Sequence, residues 1–199
     1  ISNKRLSYFD FDVNNIINII GKLNPNKAHG HNGISIRMIQ ISSDSIAKPL
    51  YLIFKNCLEA STFPAIWKKG NIKPLHKKGD KQAVSNYRPI SLLPIFSKIF
   101  ERIIFNAIFK FIDRNEIFNA NQSGFWPGDS CIHLLISTKH DIYKNYDSNP
   151  SQEVRALFLD IFRHSDFDRV WHKGFSTKLK TLALKVIFLN LLSLFFQID

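Results

Sequence analysis

Apolar residues recur at helical spacing in five segments of the chain, and each of these segments is predicted to be a helix. The segments are residues 12–23, 34–41, 45–60, 91–113 and 131–146. Asp12 stands immediately before the first apolar stripe and is expected to cap that helix, which Asn24 and Pro25 would end. The segment 91–113 has the strongest helical pattern of the five.

Two further segments have the pattern of strands. Residues 68–88 mix lysines with Gly and Pro, and we expect a two-stranded element with Gly79 and Asp80 near its turn. Residues 154–161 are a short apolar run that reaches an acid, Asp160, near its end. Several helices together with a small amount of sheet predict an α+β fold.

Positive charge is concentrated in the predicted two-stranded element. Residues 67–94 contain six lysines and one arginine against a single acid, Asp80, and the whole chain has a net charge of +11. Such an excess indicates a polyanionic partner, most often nucleic acid. An acidic membrane surface fits less well, because the sequence has no long basic amphipathic helix. An ordinary solvated surface loop remains the alternative for this segment.

The composition is that of a folded protein. The chain has 199 residues, of which 45% are hydrophobic and 18 are Phe, and this excludes intrinsic disorder. Its two cysteines lie far apart, and no signal peptide pattern is visible. We therefore expect an intracellular protein of the cytoplasm or nucleus that is not secreted. The apolar C-terminal stretch, residues 182–198, is expected to be a buried helix rather than a membrane span.

Two residues are candidates for chemistry before any family is considered. Asp160 follows an apolar run, where a strand can place a carboxylate for a hard divalent ion such as Mg²⁺, and capping the next turn is the alternative. Arg88 is held between Tyr87 and Pro89, so its planar fork can be aimed at phosphate oxygens. An ion pair with a surface acid is the alternative for Arg88. No histidine or cysteine has partners at zinc-like spacing.

Four blocks of sequence resemble reverse transcriptases from non-LTR (LINE) retrotransposons of the jockey type. The blocks occur in the family's order and cover nearly the whole chain. Residues 26–34 (N-K-A-H-G-H-N-G-I) are similar to the family's N-K-A-P-G-P-D-G-I loop, and residues 68–104 include N-Y-R-P-I-S-L-L-P. Residues 122–130 (Q-S-G-F-W-P-G-D-S) and residues 159–172 (L-D-I…F-D-R-V-W-H) supply the third and fourth blocks.

The resemblance implies a fold, a reaction and a set of site residues. The fold would be a partial right-hand polymerase, with helical fingers and a basic hairpin over about residues 1–150, a first palm motif over 151–175 and a divergent apolar tail over 176–199. The partners would be an RNA template, a DNA primer and a dNTP, with Mg²⁺ as the cofactor of a two-metal displacement. The oligomeric state stays open.

Each implied site residue has a role in that reaction. Asp160 would be the catalytic and metal-binding carboxylate, and Phe167 would exclude a ribose 2′-hydroxyl. The triphosphate of the nucleotide would be bound by Lys77, Lys78 and Arg88. The pocket for the template and the nucleotide would be lined by Gln122, Gly124 and Phe125.

The sequence also departs from the family. It contains no adjacent pair of aspartates, whereas the family has a Tyr/Phe-x-Asp-Asp hairpin downstream of the first Asp. The spacing from Asp160 to Phe167 is two residues longer than in the family. An alignment from the left makes Asp160 catalytic and displaces Phe167, and an alignment from the right places Phe162 at the catalytic position. The left alignment is preferred because the apolar run leads directly into Asp160.

The function expected from sequence is therefore a truncated RNA-directed DNA polymerase domain of a mobile element, catalytically inactive as this chain. The metal site would be incomplete, because one carboxylate does not hold two ions. Two alternatives stay open: a non-catalytic remnant that binds nucleic acid, and a functionless pseudogene product.

Overall fold

The computed structural model describes residues 9–119, 122–124, 126–148, 150, 153–157, 171, 173–174 and 177. In this part of the chain the helices are α1 (Val13–Gly21), α2 (Ile36–Ile41), α3 (Ser43–Glu59), α4 (Ala65–Lys68), α5 (Ile95–Arg114) and α6 (Cys131–Tyr146). The strands are β1 (Asn71–His76) and β2 (Tyr87–Leu92), with a 3₁₀ turn at Val84–Asn86 before β2. The described residues fall into two compact units: the first contains residues 9–111 together with 171, 173–174 and 177, and the second contains the described residues between 112 and 157.

Helix α1 begins at a capping box. The Asp12 carboxylate accepts from the N–H of Asn15 at 2.7 Å, and the Asn15 side chain accepts from the N–H of Asp12 at 3.1 Å. These two bonds satisfy N–H groups that the first turn of a helix leaves without partners. At the other end, the Gln40 side chain of α2 donates to the carbonyls of Ile20 and Leu23 at 3.1 and 2.9 Å. The predicted cap at Asp12 is confirmed.

The core of the first unit is formed by one face each of α1, α2, α3 and α5. Its centre is aromatic: Phe54 of α3 stacks on Phe100 of α5 with ring centroids 5.0 Å apart. The edge of Trp67 meets Phe54 at 5.7 Å. Phe54 and Phe100 are completely buried, and side chains of this size contribute most of a core's burial energy. The other buried apolar residues are Ile16, Ile20, Ile36, Ile39, Ala47, Leu50, Cys57, Leu58, Phe63, Ile95, Ile99, Ile103 and Ile104.

The two strands form an antiparallel hairpin. Asn71 lies opposite Leu92 at its base, and His76 lies opposite Tyr87 at its open end. Among the described residues this pair is the whole sheet. A two-stranded hairpin is marginally stable by itself, so contacts made by its ends and its connecting loop determine how well it is ordered.

The second unit contains α6 and the loop before it. Ser130 caps α6 by accepting from the N–H of His133 at 3.4 Å. None of the residues of α6 is buried, and large apolar side chains such as Ile132 and Leu135 are 67% and 68% exposed. No helix among the described residues is both long and apolar enough to cross a membrane.

The structure bears out most of the predicted elements and changes two of them. The five helices and the basic hairpin are present, which confirms the α+β assignment. The helix expected from residue 91 begins only at Ile95, because Ser91 and Leu92 pair with β1 as part of β2. The strand expected over 154–161 is absent at residues 154–157, which pair with no strand among the described residues. Residues 158–161 lie outside the described part of the chain.

Candidate phosphate-binding hairpin

Strand pairing gathers positive side chains on one face of the hairpin. Arg88 lies opposite Leu75, and successive side chains on a strand alternate between faces. Lys73, two residues before Leu75, therefore shares the face of Arg88. Lys77 directly follows β1, and its N–H donates to the carbonyl of Asn86 at 2.8 Å, which continues the pairing by one residue and leaves Lys77 within reach of the charge of Arg88. We call Lys73, Lys77 and Arg88 the cation face. Lys78 follows directly in the connecting loop and is exposed.

The charges of the cation face act on one another. Desolvation, followed by the positive charge of Arg88, lowers the pKa of Lys77 below its ordinary value. A like charge nearby makes the protonated lysine less favourable. The ion pairs within the described part of the chain join Lys55–Glu59, Asp129–His133 and Glu153–Arg155, so none includes a cation of the hairpin. The face is thus positively charged and not neutralised by carboxylates.

Three side chains at the strand ends hold the loop that connects β1 to β2. His76 Nε2 lies 3.2 Å from the carbonyl oxygen of Gly79, and Asn86 Nδ2 donates to that of Asp80 at 2.8 Å. The Tyr87 hydroxyl donates to the carbonyl of Lys81 at 2.9 Å. The carbonyl oxygens of three successive residues are therefore each contacted by a different side chain. These three side chains were missed at the sequence level, although Asn86 and Tyr87 stand inside a recognised block.

Gly79 lets the same loop turn. Its φ is +86°, a conformation that L side chains rarely adopt, and an added Cβ would lie 2.9 Å from Asn86 Nδ2. The predicted turn at Gly79 and Asp80 is therefore confirmed. A glycine is required here by both the backbone conformation and the nearby Asn86 amide.

The loop at residues 27–33 packs against the base of the hairpin. An added Cβ on Gly30 would lie 2.6 Å from the backbone nitrogen of Pro94, just after β2. His31 Nδ1 lies 3.0 Å from the carbonyl oxygen of Lys69, just before β1. Both ends of the hairpin thus contact one short loop, and the close approach at Pro94 explains why Gly30 has no side chain.

The second unit places two predicted pocket residues in contact. Gln122 Nε2 donates to the carbonyl of Gly124 at 3.2 Å. Asp129 organises this loop, since hydrogen bonds from the Ser123 hydroxyl and the Ser130 N–H, together with contact with His133, lower its pKa. The Ser130 bond is 2.7 Å long, and His133 Nδ1 lies 3.1 Å from the carboxylate. Asp129 was missed at the sequence level, although an Asp directly before a helix N-cap is a recognisable signal.

The remaining predicted site residues are Asp160, Phe167 and Phe125, and all three lie outside the described part of the chain. Among the residues that are described, no group of three or more His, Cys, Asp or Glu side chains is arranged to hold a metal ion.

The tryptophans have packing roles in two of three positions. Trp67 belongs to the core, and the edge of Trp126 meets Phe118 with ring centroids 4.8 Å apart. Trp171 is 76% exposed.

The described residues thus contain a basic hairpin that is joined to a helical core. The chain belongs to the family described as reverse transcriptase (RNA-dependent DNA polymerase), which matches residues 75–198. The resemblance to reverse transcriptases of non-LTR retrotransposons is thereby confirmed.

Three relatives of the chain are encoded by mobile elements of Drosophila melanogaster. The chain is 34% identical over 171 residues to a probable RNA-directed DNA polymerase from transposon X-element, which covers 85% of the chain and 18% of the relative. It is also 34% identical over 169 residues to the RNA-directed DNA polymerase from mobile element jockey, covering 83% of the chain and 18% of the relative. A probable RNA-directed DNA polymerase from transposon BS is 34% identical over 134 residues, 67% of the chain and 14% of the relative. The chain spans less than a fifth of the length of these relatives.

Proposed function

We propose that this chain is the fingers part of a right-hand polymerase domain, which binds the triphosphate of a dNTP and a nucleic-acid strand but does not itself synthesise DNA. Lys77, Lys78 and Arg88 hold the triphosphate. Gln122, Gly124 and Phe125 line the template side of the pocket, and the RNA template and DNA primer are its macromolecular partners. Family membership supports this assignment of partners, and the hairpin supports the assignment of the phosphate site.

The observation that carries the proposal is the cation face. Lys77 and Arg88 are close enough for the charge of Arg88 to lower the pKa of Lys77, and neither forms an ion pair among the described residues. A polyphosphate placed between them offsets this repulsion and stabilises the charged form of Lys77. An arginine also offers a planar fork for two phosphate oxygens, whereas a lysine contributes a point charge.

The proposals for the metal ion and for the chemical step have a different basis from the proposal for the phosphate site. Mg²⁺, with Asp160 as its first ligand, is proposed from the family alone, and Phe167 as the residue that excludes a 2′-hydroxyl is proposed on the same ground.

Charge reversal tests the phosphate site. We expect Lys78→Glu and Arg88→Glu each to weaken binding of inorganic tripolyphosphate and of a short single-stranded DNA by about tenfold or more, since each removes charge-assisted hydrogen bonds. Titrations of the full chain by calorimetry, at about 50 mM salt and at higher salt, measure the effect and its salt dependence. Lys48→Glu, on the exposed side of α3, is the matched control for net charge.

The two ligands distinguish the possible outcomes. Loss of tripolyphosphate and DNA binding together assigns both phosphate sources to the hairpin. Retention of tripolyphosphate affinity in both hairpin variants, or an equal loss in Lys48→Glu, contradicts the site. A wild-type affinity for DNA that does not fall with salt contradicts phosphate binding altogether.

A further inference from the structure

The loop between β1 and β2, residues 77–86, is ordered by side chains that do not belong to its cations. His76, Asn86 and Tyr87 are polar residues at the strand ends, and each meets one carbonyl oxygen of Gly79, Asp80 or Lys81 in turn. We call these three residues the loop clamp. A hydrogen bond from the N–H of Lys77 to the carbonyl of Asn86, at 2.8 Å, closes the loop beneath them.

The loop clamp determines the direction in which backbone carbonyls of the loop point. His76 and Tyr87 lie opposite each other, with ring centroids 5.2 Å apart. They lie on the face opposite the cation face, because they alternate with Lys77 and Arg88 along their strands. The carbonyls of Gly79 and Lys81, which contact His76 and Tyr87, are thereby drawn towards the face without cations. Carbonyl oxygens carry partial negative charge, so this arrangement removes a source of repulsion for a phosphate.

Backbone N–H groups of the loop are available to donate hydrogen bonds to a ligand. The N–H groups of Lys78, Gly79 and Asp80 have no acceptor among the described residues. Successive backbone N–H groups around a residue in a left-handed conformation form a concavity that binds anions, and Gly79 supplies that conformation with its φ of +86°. The loop therefore combines lysine side chains with free backbone donors.

We propose that His76, Asn86 and Tyr87 are positioning residues, which hold this loop in its phosphate-binding conformation before the ligand arrives. This inference rests on the proposed phosphate-binding function, since it explains how the same site reaches its affinity. The three residues do not touch the phosphates. They lower the entropy that the loop loses on binding, which is the general way in which preorganisation raises affinity.

Two substitutions test the clamp in the full 199-residue chain. Tyr87→Phe removes one hydroxyl and keeps the ring beside His76, whereas Asn86→Ala removes the amide that donates to Asp80. We expect each to weaken tripolyphosphate binding roughly 2- to 10-fold, the effect of one hydrogen bond. Asn145→Ala is the matched control, because Asn145 Nδ2 makes an equally exposed bond to the carbonyl of Asp141 at 2.7 Å.

Salt dependence and loop motion separate positioning from direct contact. For the short single-stranded DNA, a cation that touches phosphate contributes to the slope of log affinity against log salt, and its removal reduces the magnitude of that slope by about 0.7. We expect Lys78→Ala to reduce the slope, and Tyr87→Phe and Asn86→Ala to leave it unchanged. In the free protein, NMR order parameters at residues 78–81 should fall in both clamp variants and stay unchanged in Asn145→Ala.

Each outcome bears on a defined claim. Wild-type affinity and unchanged order parameters in both clamp variants overturn the inference and leave the phosphate site intact. A lower slope in Tyr87→Phe also overturns it, because the residue would then act on phosphate directly. If the wild-type chain does not bind tripolyphosphate, the proposed function and the inference fail together. Weaker binding, an unchanged slope and a more mobile loop support the clamp.

Discussion

Glu101 is a carboxylate set into the core side of α5. Ser97, which is only 1% exposed, donates its hydroxyl to Glu101 Oε1 at 2.6 Å. Burial raises the pKa of Glu101 above its ordinary value, and the Ser97 hydrogen bond and the charge of Lys98 only partly offset this effect. The ionised side chain is therefore less favourable in the folded protein than in the unfolded chain.

A glutamine at this position tests that conclusion. Because the folded-state pKa is raised, stability is greatest below the ordinary pKa of the glutamate and is lost as the pH rises through the folded-state value. We expect Glu101→Gln to raise the free energy of unfolding at pH 7 by on the order of 1 kcal/mol. The advantage should shrink as the pH falls through the raised folded-state pKa of Glu101, and it should be lost below the ordinary pKa of about 4.3. Urea unfolding across this pH range measures both effects.

The control for Glu101 is Glu59, an exposed carboxylate whose nearest cation, Lys55, lies 3.9 Å away. Glu59→Gln is expected to change stability by less than about 1 kcal/mol, as is usual for surface pairs. A Glu101→Gln protein that is less stable than wild type at pH 7, with a difference independent of pH, contradicts an unfavourable buried charge.

At the scale of elements, the loop of residues 27–33 fixes where the hairpin lies on the helices. Gly30 approaches the backbone at Pro94, and Gly21 at the end of α1 has nothing within 4 Å of an added Cβ. The two glycines therefore predict opposite effects of the same substitution. Gly30→Ala should destabilise by about 1–3 kcal/mol through overpacking. Gly21→Ala should stabilise by about 0.5–1 kcal/mol by restricting the unfolded chain.

Thermal or urea unfolding of the two single variants checks this pair. The wild-type chain and the double variant complete the series, and additivity is expected because the two sites share no contact. A stabilised Gly30→Ala protein would mean that the loop does not press against the base of the hairpin.

The elements differ in how far local sequence determines them. The periodicity of the helices, the cap at Asp12 and the turn at Gly79 depend on residues close in sequence, and all were predictable. The start of α5 was placed too early because the apolar pattern of residues 91–93 also suits a strand. The signal that was available is Pro94, since a proline disfavours helical backbone in the residue before it.

The candidate site was predictable in part for the same reason. Lys77, Lys78 and Arg88 stand out by charge, and strand pairing leaves Lys77 within reach of the charge of Arg88. The contact of Gly30 with Pro94 and the bond from His31 to Lys69 join distant parts of the chain. A single sequence contains no local pattern that reveals such pairs.

For the whole molecule, the proposed phosphate site, in a chain that contains no adjacent aspartates, predicts binding without synthesis. The wild-type chain should give no extension of a DNA primer on an RNA template with dNTPs and Mg²⁺, since two-metal catalysis requires several carboxylates to hold its ions. An active reverse transcriptase in a parallel reaction validates the assay. Extended primer from this chain would contradict the proposal that its 199 residues lack catalysis.

The hairpin and its clamp also have a consequence for the order in which the protein is made. All the hydrogen bonds that shape the loop lie between residues 76 and 87, and hairpins close in microseconds. The bond from His31 to Lys69 spans 38 positions and uses residues already synthesised. Chains fold from their N-terminus during synthesis. We therefore expect the phosphate-binding loop to be formed on the ribosome while the residues that follow it are still being translated.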